Sequence, residues 1–105
     1  MLEFHAAYYE IEDGWFLARV LDFPGTLSQG RTLHSARRMI RDALRGLAEW
    51  LIDEGQPLPR PNPRAQDKKA NFLETIPLKI RALTGAINET ATAYGASSDK
   101  RTTNA

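Results

Sequence analysis

Between Thr32 and Gly55, apolar residues return every three or four positions: Leu33, Ala36, Ile40, Ala43, Leu44, Leu47 and Leu51. That spacing lines them along one side of a helix. Thr32 can cap the first turn, and Gly55 can take the left-handed conformation that ends the last. The spacing therefore predicts a helix over about 32–54. A helix with one apolar side needs a second layer to bury it. A chain of 105 residues has room for one small domain.

The flanking segments read as a sheet. Residues 3–12 alternate, with Phe4, Ala6 and Tyr8 on one face and His5, Ala7, Tyr9 and Ile11 on the other; such alternation predicts a strand. Asp13-Gly14 supplies a hairpin turn, because both residues tolerate positive φ. Residues 15–22 alternate again: Phe16, Ala18 and Val20 share one face, Trp15, Leu17, Arg19 and Leu21 the other. Pro24-Gly25 bends the chain, 26–29 can form a third short strand, and Gly30 lets the chain leave it. Past the helix, Pro57, Pro59, Pro61 and Pro63 exclude helix and favour an extended linker over 56–63. Leu73, Thr75, Ile76, Leu78 and Ile80 then read as a fourth strand, which Pro77 limits to a sheet edge. Leu83, Ala86, Ile87, Thr90 and Ala91 suggest a second helix over 82–94. The segment from Gly95 has the composition of a disordered tail. The expected fold class is α+β: a β-β-β-α-β domain over 1–80, one long helix on one face of a mostly antiparallel sheet, then 81–105 as helix and tail.

Composition narrows the functional classes. There is no cysteine, hence no disulfide framework and no thiol chemistry; a reducing, cytoplasmic setting is expected. Met1–His5 does not begin a signal peptide, and no run reaches the ~18 apolar residues of a membrane span. The net charge of +1 does not by itself argue for nucleic-acid binding. No catalytic, cofactor or metal site is expected. His5 and His34 fall in different elements, and a general base needs an orienting partner. Glu10, Glu12, Asp13 and Asp22 read as a solvated strand end, since a divalent site needs several convergent oxygens.

Two features point to a binding surface instead. With one helix on one side, the sheet's other side presents Trp15, Leu17 and Leu21, more apolar surface than a monomer normally shows. A second copy, another protein or residues 71–94 folding back are expected to cover it. The helix carries Arg37, Arg38, Arg41 and Arg45 early, just after Arg31, and Glu49, Asp53 and Glu54 late. That order opposes the helix dipole, so Arg37 and Arg41 are candidate contacts to an acidic or RNA partner.

Gly14, Phe16, Ala18, Val20, Asp22, Pro24, Gly25, Gln29, Gly30, Thr32, Leu33, Ala36, Ala43, Gly55, Pro57, Pro59 and Pro61 together make an aromatic strand ending near Asp-x-Pro-Gly, a Gln-Gly-x-Thr helix start, and a Gly stop before a Pro-rich linker. In this order they resemble the N-terminal domain of the HicB family of antitoxins, over about residues 4–61. The resemblance implies a partial ribonuclease-H-like fold. It also implies an antitoxin of a type II toxin-antitoxin system, which masks a HicA-type mRNA-cleaving toxin and needs no catalytic residue of its own. Self-association, as a dimer or higher oligomer, goes with the family. Gly14, Asp22, Pro24, Gly25, Gly30 and Thr32 are read as mainly structural. The chain departs from the pattern at Arg31, His34 and Ser35, where acids are common, and at Leu21, where proline is common. Many relatives continue into a DNA-binding domain. Here only a strand and one helix are expected after the linker, so DNA binding is not expected. Two other readings stand: an oligomeric adaptor without a toxin, and a nucleic-acid-binding regulator using the helix arginines.

Overall fold

The computed structural model describes residues 2–79. The elements are β1 (Leu2–Glu10), a 3-10 turn (Glu12–Gly14), β2 (Phe16–Val20), β3 (Leu27–Gly30), α1 (Leu33–Asp53) and β4 (Phe72–Leu78). The strands form one antiparallel sheet in the order β3-β2-β1-β4. Among the described residues, the β-β-β-α-β order and the single covering helix agree with the expected fold class. Ile80, the helix expected over 82–94, the tail from Gly95 and the division near residue 80 lie outside the described residues. Two compact units are present: residues 2–44 with 59–78, and, among the described residues, 45–58 with Lys79.

In the first unit β1 is central. It pairs with β2 from Ala6↔Val20 to Glu10↔Phe16, and with β4 from Leu2↔Leu78 to Tyr8↔Phe72. Side chains alternate across a sheet, so Phe4, Ala6 and Tyr8 face α1 together with their cross-strand partners Ile76, Val20 and Ala18. All six are buried, as are Ala36, Ile40 and Leu44 of α1. Full burial of a large apolar side chain stabilises by roughly 1.5–3 kcal/mol, so this layer carries the unit. β4 lies at an edge, where Pro77 is tolerated.

The bend after β2 does more than turn the chain. Thr26 N donates to Phe23 O at 3.3 Å, which closes a turn with Pro24 and Gly25 in the middle. Gly25 sits at φ 88, as the third position of a type II turn demands. The same turn drives Phe23 inward: it is fully buried, edge-on to Phe4 with ring centroids 5.1 Å apart. Periodicity does not reveal this core residue, because it belongs to neither a strand nor a helix.

Thr32 caps α1 as its residue type predicts. Ser35 N donates to Thr32 Oγ1 at 3.0 Å, and Thr32 N donates back to Ser35 Oγ at 3.1 Å. This is a reciprocal capping box with serine in place of the usual acid. Gly30 owes its identity to a different cause from the one its loop position suggests. Its φ is not positive, but a Cβ there would sit 2.5 Å from Ala36 N and 2.9 Å from Ala36 Cα. The first turn of the helix lies directly on the end of β3.

In the second unit α1 ends on Gly55 at φ 71. Gln56 N donates to Leu51 O and Gly55 N to Ile52 O, the paired bonds of a Schellman stop. Trp50 is 55% exposed there.

Candidate functional site

The face opposite α1 is built from β1 outward. His5, Ala7 and Tyr9 alternate with the core residues, and Arg19 and Leu17 stand across from Ala7 and Tyr9. Residues 59–71 cross this face, which accounts for the complete burial of Ala7 between two larger neighbours. Part of this face is thus covered by residues 59–71 of the chain itself, while residues 80–94 of the segment expected to fold back lie outside the described residues. Trp15, Leu17 and Leu21 are half-buried rather than open.

Three side chains strap the linker down. Asp22, at the end of β2, has its side chain only 3% exposed. Its Oδ1 accepts from His5 N at 2.8 Å, and its Oδ2 faces His5 Nδ1 at 2.7 Å and accepts from Asn62 N at 2.9 Å. An ionised carboxylate only accepts, so the hydrogen between it and the imidazole lies on Nδ1. Burial pushes the Asp22 carboxyl up, but the Asn62 and His5 donors outweigh it and hold the group below its ordinary value. Asp67 is the second anchor. Its Oδ2 accepts from the Tyr9 hydroxyl at 2.7 Å and from Arg19 Nη2 at 3.2 Å. The Tyr9 hydroxyl and the Lys69 amide, with Arg19 nearby, pull its carboxyl down against a smaller burial effect. Burial, then Asp67, pushes the Tyr9 phenol up. The third anchor, Asn71, donates from its N to Tyr8 O and accepts from Glu10 N, both at 2.8 Å.

Asn62 and Asp67 each also open a turn. Arg64 N donates to Asn62 Oδ1 and Ala65 N to Asn62 O; Lys69 N donates to Asp67 Oδ1 and Ala70 N to Asp67 O. Asn-Pro-Arg-Ala and Asp-Lys-Lys-Ala thus fold alike, with Arg64, Lys68 and Lys69 at the exposed tips.

The helix side holds a separate cluster. Glu74 of β4 accepts from Arg37 Nε at 3.1 Å, from Arg37 Nη2 at 2.6 Å and from the Tyr8 hydroxyl at 2.6 Å, with Arg41 Nη2 at 3.9 Å. Burial raises the Glu74 carboxyl, but Arg37 and Tyr8 bring it below its ordinary value. Burial and Glu74 push the Tyr8 phenol far up. Arg37 is therefore tied to β4 by Glu74, although its side chain is almost as exposed as that of Arg41, 44% against 47%. The reversed helix charge order is explained in part by a carboxylate 37 residues away, which no local pattern shows.

The sequence-expected contact residues do not meet in one patch. Trp15, Leu17 and Leu21 lie on the strapped face; Arg37 and Arg41 lie on the helix side. Arg31 stacks on Trp15, its guanidinium carbon 5.3 Å from the ring centroid. Exposed apolar residues appear instead at both sheet edges, Leu27 (57% exposed) on β3 and Phe72 and Leu73 on β4. Among the described residues no cluster of three or more possible metal ligands is present, and no helix is long and apolar enough to cross a membrane.

No protein-family model matches the sequence, and no curated protein does. Solved structures do match the fold. The N-terminal domain of the Burkholderia pseudomallei antitoxin HicB superposes with a TM-score of 0.65 at 24% identity, over 75% of this chain and 100% of that one. A chain of the HicA3 and HicB3 toxin-antitoxin complex gives 0.59 at 20% identity, over 75% and 100%. The Burkholderia pseudomallei antitoxin HicB gives 0.61 at 19% identity, over 91% of this chain and 76% of that one. This chain has the fold of the N-terminal domain of the antitoxin HicB.

Proposed function

We propose that this chain is a HicB-type antitoxin domain that binds a HicA-type mRNA-cleaving toxin and masks its active surface, acting by contact and not by catalysis. One observation carries the reading: the match runs through the whole HicB N-terminal domain. The Asp-x-Pro-Gly and Gly-x-Thr residues that suggested the family are also the ones that set the turn and the helix start here. Co-expression with a HicA-type toxin is expected to restore growth, and the two proteins are expected to co-purify. Leu17→Asp and Arg41→Glu, tested separately, assign the contact to the strapped face or to the helix side. If HicA-type toxins from several sources are neither bound nor neutralised, the reading is wrong and an adaptor role takes its place.

Self-association is proposed alongside, favoured by the exposed Leu27, Phe72 and Leu73 on the two edge strands, since open apolar edges invite pairing. Light scattering is expected to give at least twice the 11.8 kDa chain mass. A monomer at high concentration would remove this part of the proposal.

A further inference from the structure

We propose that the strapped face binds a single-stranded nucleic acid, with Arg64, Lys68 and Lys69 on phosphates and the Arg31–Trp15 stack beneath a base. The inference does not depend on the antitoxin reading.

The charge comes first. Residues 59–71 carry Arg60, Arg64, Lys68 and Lys69 against one acid, Asp67. The Asp67 carboxylate is already engaged by Tyr9, Arg19 and the Lys69 amide. All four basic residues are exposed, and no ion pair joins any of them to a described carboxylate. The two turns hold the backbone beneath Arg64, Lys68 and Lys69 while leaving their side chains in water. A strand of phosphates meets fixed origins of positive charge, so little backbone order is lost on binding.

The second component is aromatic. Leu17 stands across from Tyr9, which binds Asp67; Trp15 precedes Leu17 by two residues and so shares its face. The Arg31 guanidinium over that ring is exposed. A base can continue the stack on either planar group, and such stacking is tolerant of sequence. An acidic protein would use the basic tips but gain little from the stack, which is why a nucleic acid is favoured. Glu12 and Asp13 are exposed in the adjoining hairpin turn and oppose phosphate there, so contact is confined to the strap side of Trp15. The helix arginines are less suited to the role, because Glu74 holds Arg37 and lies near Arg41.

Fluorescence anisotropy of a short labelled single-stranded RNA of mixed sequence, titrated with the full chain at several salt concentrations, tests the proposal. Wild type is expected to bind at low salt. The triple variant Arg64→Ala/Lys68→Ala/Lys69→Ala is expected to bind about tenfold or more weakly, with the slope of log affinity against log salt reduced by roughly 0.7 per lost phosphate contact. Trp15→Ala is expected to weaken binding severalfold with the slope unchanged. Arg38→Ala, an exposed change on the helix, is expected to have no effect. Circular dichroism must show each variant folded; if the triple variant is not, the single changes Arg64→Gln and Lys68→Gln must each lower affinity. No binding by wild type at low salt overturns the proposal. So does an unaffected triple variant, or competition by polyglutamate as effective per charge as by unlabelled RNA, which would indicate an acidic protein partner.

Discussion

Gly30→Ala is expected to lower the unfolding free energy by about 3 kcal/mol, at the upper end of what overpacking costs. The added methyl would lie 2.5 Å from the Ala36 amide nitrogen and 2.9 Å from its Cα. Those are backbone atoms of the first helical turn and cannot rotate away as a side chain would. Relief requires the helix start to lift from β3, which strains the Thr32–Ser35 capping bonds and shifts buried Ala36. Urea denaturation measures the loss, and Gly46→Ala supplies the contrast. Gly46 lies inside α1, and a methyl added there would have nothing within 4 Å, so the same change is expected to stabilise by about 1 kcal/mol. If Gly30→Ala is as stable as wild type, the close approach of helix and strand is wrong.

The second large effect is at Asp22. Asp22→Ala is expected to cost about 3 kcal/mol, because it strands the His5 and Asn62 amides beside a buried site. The loss should be local as well as global. Amide exchange at Asn62 and proteolysis within 59–71 should both speed up well before global unfolding, since the carboxylate is where the strap meets the end of β2. Unchanged exchange at Asn62 would mean that the strap is held elsewhere. The pH dependence has a definite sign. The folded-state carboxyl titrates below its ordinary value of 3.8, so its contribution is complete above that value. It is lost as the pH falls from there through the lower, folded-state value. Asp22→Asn is expected to flatten the acid limb of the stability curve, though not abolish it, because Glu74 and Asp67 are shifted in the same direction.

What can be read from the sequence is local. The stripe from Leu33 to Leu51, the Thr32 cap, the Gly55 stop and the β2 alternation each depend on residues a few positions apart, and each is found within a residue or two of its expected place. Gly25 is legible for the same reason. The strap is not. It depends on Asp22 meeting an amide 40 residues on, and on Tyr9 meeting Asp67 across 58 residues. The prolines correctly mark an extended segment but carry no information about which surface it crosses. For that reason the open apolar face that alternation implies is in fact partly covered, with Ala7 wholly buried. Arg37 shows the same limit: the local charge order exposes an anomaly, but Glu74, which explains part of it, lies on a strand beyond the linker. Phe23 can be suspected from its size, since a large aromatic in a turn seldom stays in water.

The pairing of β1 with β4 has a consequence for synthesis. Of the four strands β1 is made before the others and becomes an inner strand of the sheet, yet one of its two edges has no partner until residues 72–78 exist. At about 5–20 residues per second on the ribosome, the interval between completing Glu10 and reaching Phe72 is roughly 3–12 seconds. Throughout it, β1 can pair with β2 but offers its other edge to any neighbouring chain. β1 is thus the last of the four to be sealed, and chains truncated before Phe72 should aggregate rather than accumulate as shorter folded domains.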